Sequence, residues 1–415
     1  MFEKVVIRRS QTGPAFTLGD IAEAMLFYQH VHLVLDHRSL DALMKGLGPQ
    51  GVLNLLRREQ VSAFYAEDMF LTQTDLVGSR PWHKFHTVAI AGRPNEKPRD
   101  TPRGRLEVML QIVGLPNKEA RRFSERLAQH LKIRRLSSDY FVKGGLQKVA
   151  HADVLDPEFS REAVRRVLAG TVGFESFAAD VMLEAIAANT PIGDFPNVPS
   201  FSLWTNIDFD VGNARRKAVD PTLEVVQEAT LLNAIVEARA DAAIAAFYGG
   251  DFHTSAINSD IVRLKCDGLL MRSGISASAL SQFRDIVLED YPRIGDVVDS
   301  GSRTFDEFLK LLDKSSDRFR PWIHKTSPDA NLVSEYFKEV TKEGWIAKLP
   351  AKSVRYVLGQ ILNVAALAMS PATGLAAGAA SSAADTFLLD KLLKGWRPNH
   401  FVDGKLKPFL DGGSE

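Results

Sequence analysis

The sequence predicts an α+β fold in which helices are the majority, on three observations. Near the N-terminus, short apolar runs flank an amphipathic helix in strand–helix–strand order. Farther on, a long Ala-rich helix stops at Gly249-Gly250. Between Arg355 and Asp385 there is no Asp, Glu, Lys, Arg or His, and Ala, Gly and Ser dominate. A run of that kind has to be buried in protein or lipid. The expected architecture is a small, partly parallel sheet from the N-terminal region, a helical middle and a C-terminal Ala-rich helical hairpin. The regions are 1–114 (α/β), 115–350 (mainly helical, with one strand near 201–210 that can join the N-terminal sheet) and 351–415 (hairpin and aromatic tail).

Residues 5–8 read as a strand. A helix follows from 17–20 to about Phe27, with Asp20 the candidate N-cap. Over 28–36, alternation places Val31, Leu33 and Leu35 on one face and His30, His32, Val34 and Asp36 on the other. Ser39 begins an amphipathic helix interrupted near Gly48-Pro49. Residues 61–66 form the next strand, and the spacing implies a βαβ crossover with parallel strands. Beyond it, 87–91 reads as a strand, 106–113 as strand or helix, 117–133 as a basic helix, and 156–168 and 174–188 as helices. Residues 201–210 alternate as a strand should. Asp220-Pro221 looks like the cap and first turn of a helix reaching Tyr248, closed by Gly249-Gly250. Residues 251–260 read as a polar connection, followed by helices at 261–271, 276–288, 304–314 and 331–341. In the uncharged run Pro371 separates two helical arms, about 352–369 and 373–393, with Gly374 and Gly378 at their closest approach. Trp396 and Phe401 are expected to pack back on the body.

The chain has 415 residues and is 45% apolar, enough for a sizeable core. Lys plus Arg equals Asp plus Glu at 51 each, so the chain as a whole is no polyanion binder and nucleic acid is not the expected partner. The lone cysteine, Cys266, excludes an intrachain disulfide and points to a reducing compartment, hence the cytoplasm. Residues 1–10 lack the apolar run of a signal peptide.

His30 and His32, two apart on a strand, share a face and are the candidate ligands of a divalent metal. Asp36 on that face would be a third ligand or would orient a histidine. His83 and His86 are a second contribution to weigh. The spacing resembles the His-x-His of metal-dependent barrel hydrolases. In that family the pair ends its strand, whereas Leu33, Val34 and Leu35 follow here, so no family is assigned. The simpler alternative packs both histidines against aromatics such as Tyr28.

On the long helix, Asn233, Glu237 and Asp241 stand at i, i+4 and i+8 and share a face. Two carboxylates there repel unless a cation sits between them, and Arg239 lies on the wrong side to be that cation. With His253 just past the helix end, Asp36, Glu237, Asp241 and His253 make up the candidate catalytic set. The simpler alternative is a solvated stripe on a buried helix. The basic helix carries Lys118, Arg121, Arg122, Arg126, His130 and Lys132, but acids interleave and no nucleic-acid motif accompanies it. No phosphate-cradling loop, nucleophile elbow or Cys-pair zinc pattern occurs. The expectation is a cytoplasmic interaction or regulatory protein acting through a protein partner. Its alternatives are a metal-dependent hydrolase using His30 and His32, and a membrane-acting effector using 356–384.

Overall fold

A computed structural model describes residues 3–8, 16–89, 101–188, 192, 198–272, 283–291, 294–310, 312–313, 352–359, 385, 391 and 400–403. The first elements are β1 (Lys4–Arg8), α1 (Leu18–Phe27), β2 (His30–Leu35), α2 (His37–Leu56) and β3 (Val61–Ala66). β1 pairs with β2, and β2 with β3, both in parallel, as the strand–helix–strand spacing predicts. Thr17, not Asp20, is the N-cap of α1. Asp20 sits three residues on, and its carboxylate accepts from the Thr17 amide at 2.6 Å, closing a reciprocal capping box. α2 opens the same way, with Asp36 the cap and Ser39 three residues on. Gly48, at φ 67°, takes the left-handed conformation that breaks this helix before Pro49.

The chain continues through β4 (Asp68–Val77), β5 (Arg80–Ala89), α3 (Pro102–Ile112), α4 (Asn117–Leu127), β6 (Leu131–Arg134), α5 (Gly145–Leu155), α6 (Pro157–Ala169), β7 (Leu183–Ala187) and β8 (Ser200–Thr205). Then come α7 (Phe209–Val219), α8 (Glu228–Tyr248), β9 (Asp251–Ser255), α9 (Ala256–Arg272), β10 (Phe283–Tyr291), α10 (Ile294–Asp299), β11 (Lys352–Gly359) and β12 (His400–Asp403). Helix is the larger share of this mixed α/β chain.

The five-stranded parallel sheet runs β9-β1-β2-β3-β6. At its β9 edge, β12 adds in parallel and β11 and β10 follow antiparallel. Both faces are covered, because alternate residues feed two cores. Val5, Ile7, Val31, Leu33, Leu35, Ala63 and Tyr65 pack with residues of α1 to α4. Val6, Val34, Phe64 and Phe252 pack with residues of α5, α6, α8 and α9. A second, antiparallel sheet, β4-β5-β8-β7, contacts α8 through β4. There Thr72 Oγ1 donates to Asn233 Oδ1 at 2.5 Å.

The expected long helix begins at Glu228, eight residues later than Asp220. Asp220 instead accepts from the amide and hydroxyl of Thr222, making a local turn, which is the other common use of Asp-Pro. The basic helix ends at Leu127, and Leu131–Arg134 leaves it to pair with β3. The expected helix at 174–188 is a short 3-10 turn, Glu175–Phe177, followed by β7. The strand near 201–210 is β8. It joins β5 and β7 in place of the parallel sheet. The polar connection at 251–260 is a buried strand and the start of α9. Residues 352–359, expected as helix, form β11. The rest of the uncharged run, 360–384, lies outside the described residues, as do the hairpin contact at Gly374 and Gly378 and the tail residue Trp396. Among the described residues no helix is long and apolar enough to cross a membrane.

Candidate functional site

Parallel strands all end on one edge. In this sheet the strand order reverses at β1, which has β2 on one side and β9 on the other. Open α/β sheets bind ligands in the crevice outside the strand ends at such a point. Here three neighbouring strands of the five end in charge: Arg8 closes β1, Asp36 follows β2, and Glu67 and Asp68 follow β3.

α8 descends past this edge and turns Glu237 and Asp241, one helical turn apart, toward Arg8. The guanidinium donates from Nη2 to Glu237 Oε2 at 2.5 Å and from Nη1 to Asp241 Oδ1 at 2.7 Å. Glu237 is 0% exposed and Asp241 5%, so the solvated-stripe expectation is wrong. The cation that the two carboxylates need comes from a neighbouring strand. Asp241 Oδ2 also accepts from Thr254 Oγ1 at 2.8 Å and from Asn258 Nδ2 at 3.1 Å, tying β1, α8, β9 and α9 together. Burial works against the Arg8 charge. Glu237, Asp241 and, through space, Asp36 outweigh it and hold its pKa above the ordinary value. Asp36 is half-buried at the edge, with its carboxylate capping α2. Burial, and after it Asp36 and Glu67, push the Tyr65 phenol up. Glu67 itself lies between Arg105 at 2.8 Å and the exposed Arg135 at 2.6 Å, and these hold its pKa down despite burial.

The other candidates sit elsewhere. Alternation along β9 turns Thr254 toward Asp241, and therefore His253 to the opposite face. There its Nε2 lies 3.7 Å from Asp20 Oδ1 on α1. His253 thus does not join the Glu237–Asp241 group. His30 and His32 lie at the start of β2, on the edge opposite Arg8. His30 is exposed. His32 is buried, its ring centroid 3.8 Å from that of Tyr248, and its Nδ1 pairs with Ser62 Oγ at 2.7 Å. Burial, then the nearby Lys4 charge, push its pKa down to about 4. His83 belongs to the second sheet, held between Thr74 at 2.9 Å and Glu228 at 2.7 Å. Among the described residues, no group of three or more His, Cys, Asp or Glu is placed to hold a metal ion. On α4, Arg121 is exposed and pairs with Glu125.

Sequence reasoning passed over Arg8, Thr254 and Asn258. The signal was present for the first: an arginine closing an apolar strand is out of place unless something answers its charge. Comparison with protein-family models, with curated proteins and with solved structures finds no match for this chain.

Proposed function

We propose that the chain binds a small polar ligand in the crevice at the C-terminal ends of β1, β2 and β9. Asp36 is its accessible carboxylate, and Arg8, Glu237 and Asp241 are its fixed floor. What supports this is the gathering of Asp36, Glu237 and Asp241 around Arg8 where the strand order reverses. Glu237 and Asp241 are committed to Arg8 and position it. Asp36, which also caps α2, is the most exposed of the three carboxylates and the one we propose meets a ligand. With carboxylates in excess of the one guanidinium, the site favours a cationic or donor-rich ligand, such as an amine or a polyol, over a phosphate.

The test is a thermal-shift screen of the full chain against amines, amino acids, polyols, nucleotides and sugar phosphates. Asp36→Ser is the control, because serine keeps the N-cap that α2 requires and removes the charge. A donor-rich compound should raise Tm for the wild type and lose that effect in Asp36→Ser. Stabilisation by phosphates alone, or equal stabilisation of the variant, would count against the site.

An interaction or regulatory role in the cytoplasm, through a protein partner, rests on a different observation. Strand register places Leu71, Val88, Ile186 and Trp204 on one face of the second sheet, and all four are exposed. Lys84, Ser200 and Ser202 on the same face are buried between them, and the exposed apolar side chains that flank this stretch suit a protein partner. A partner docked there should be lost from Ile186→Ser, Trp204→Ser protein. Its retention would argue against that face.

A further inference from the structure

The second sheet carries a hydroxyl–imidazole–carboxylate relay, away from the crevice. Thr74 on β4 and His83 on β5 are direct antiparallel partners, so their side chains stand beside each other on one face. It is the face that Thr72 turns to α8, opposite the one that carries Leu71 and Trp204. His83 Nδ1 lies 2.9 Å from Thr74 Oγ1. Cross-strand pairing accounts for that contact but not for the third member. Glu228, the first residue of α8, reaches in from another element and places Oε2 2.7 Å from His83 Nε2.

The wiring follows from what each group can give. An acid in the first turn of a helix is favoured as its anion, and a carboxylate only accepts. The proton of the neutral imidazole is therefore held on Nε2, against Glu228. Nδ1 keeps its lone pair, and the Thr74 hydroxyl donates to it. A hydroxyl held against a base, with the base oriented by a carboxylate, is the arrangement that activates a nucleophile, whichever fold carries it. Exposure is graded in the sense that chemistry needs: Thr74 is exposed, Glu228 half-buried and His83 only 2% exposed. The buried Phe201 packs its ring 5.9 Å from the imidazole and covers it on one side. Leu76, two residues along β4 and so on the same face as Thr74, is exposed and offers an apolar neighbour to the hydroxyl.

We propose that Thr74, His83 and Glu228 form a nucleophilic site that takes acyl groups from esters of small apolar acids. Thr74 Oγ1 attacks the acyl carbon as its proton passes to His83 Nδ1. The bond from that carbon to the ester's alkoxide oxygen breaks, and the alkoxide takes the proton from Nδ1 and leaves as an alcohol. Thr74 is left as the acyl ester. Thr74 and His83 are the catalytic residues, and Glu228 positions the ring. The site is independent of any ligand at the β1–β9 crevice.

The experiment treats the full chain with an ethyl fluorophosphonate, whose phosphorus takes a nucleophile as an acyl carbon does and loses fluoride, leaving a stable adduct. Mass spectrometry of the digested protein locates the added group. The wild type should carry it at residue 74, and p-nitrophenyl acetate should compete with it there. Thr74→Ser, which keeps a hydroxyl, should still be labelled, whereas Thr74→Val should not. Glu228→Gln should slow labelling of residue 74 at least about tenfold, because the ring loses the anion that fixes its tautomer. His83→Gln should abolish it. Should that buried substitution prevent folding, Glu228→Gln, at a half-buried position, decides. An unlabelled Thr74 in the wild type would overturn the proposal. So would labelling at an unchanged rate in Glu228→Gln, or an absence of competition by the ester.

Discussion

Arg8, Glu237 and Asp241 are stable only as a set. Each charge is expensive to bury alone, and removing one partner strands the others. Glu237→Gln, and separately Asp241→Asn, should each cost ~3–5 kcal/mol in chemical denaturation. A loss below about 0.5 kcal/mol, as at a surface position, would mean that the carboxylates are solvated after all. His32 gives a second, pH-dependent check. Its pKa falls from an ordinary 6.5 to about 4 on folding, so folding favours the neutral ring. The stability it contributes is full above pH ~6.5 and is lost as pH falls through that value toward ~4, by roughly 3 kcal/mol at most. His32→Phe keeps a ring against Tyr248 without the titration, and should flatten the stability curve over that window. An unchanged curve would place the acid sensitivity in other groups.

At the scale of elements, what the sequence made legible was local periodicity and chain punctuation. The alternation in β2, the caps of α1 and α2 to within three residues, and the break at Gly48-Pro49 were all readable, because each depends on neighbours in sequence. What escaped depends on distant partners. β6 continues a helical pattern until β3 claims it, and β9 reads as a polar turn until β1 and β12 flank it. The Arg8 site was half legible. Its two carboxylates show as a helix stripe, but their cation lies 229 and 233 residues away along the chain. The close crossing of α1 and α10 belongs with these. A Cβ on Gly19 would sit 2.4 Å from the Gly295 carbonyl oxygen, a backbone atom that cannot swing aside. Gly19→Ala should therefore destabilise by ~1–3 kcal/mol. Among the described residues, nothing lies within 4 Å of the same position on Gly268 within α9. Gly268→Ala should be neutral or stabilise by up to ~1 kcal/mol, since alanine suits a helix better. Both are read by denaturant titration, and equal effects at the two sites would contradict the packing of α1 on α10.

For the whole molecule, the described C-terminal residues 352–359, 385 and 400–403 are parts of the fold. β12 pairs with β9, β11 extends the sheet beyond it, and Asp385 completes the charges around Arg239. Truncation before Lys352 removes all three and should give protein that aggregates or melts without cooperativity. A soluble truncation melting like the full chain would contradict this integration. The arrangement also places the ends of β1 and β9, where we propose the crevice, at the centre of the sheet with strands on both sides. Whether that crevice is the working site is tested most directly by hydrogen exchange of the full chain, with and without the tightest donor-rich binder from the thermal screen. A ligand seated there predicts new protection at Arg8, the start of α2 after Asp36, and residues 254–258. Protection confined to β7 and β8, around Ile186 and Trp204, with the ends of β1 and β9 unchanged, would contradict it.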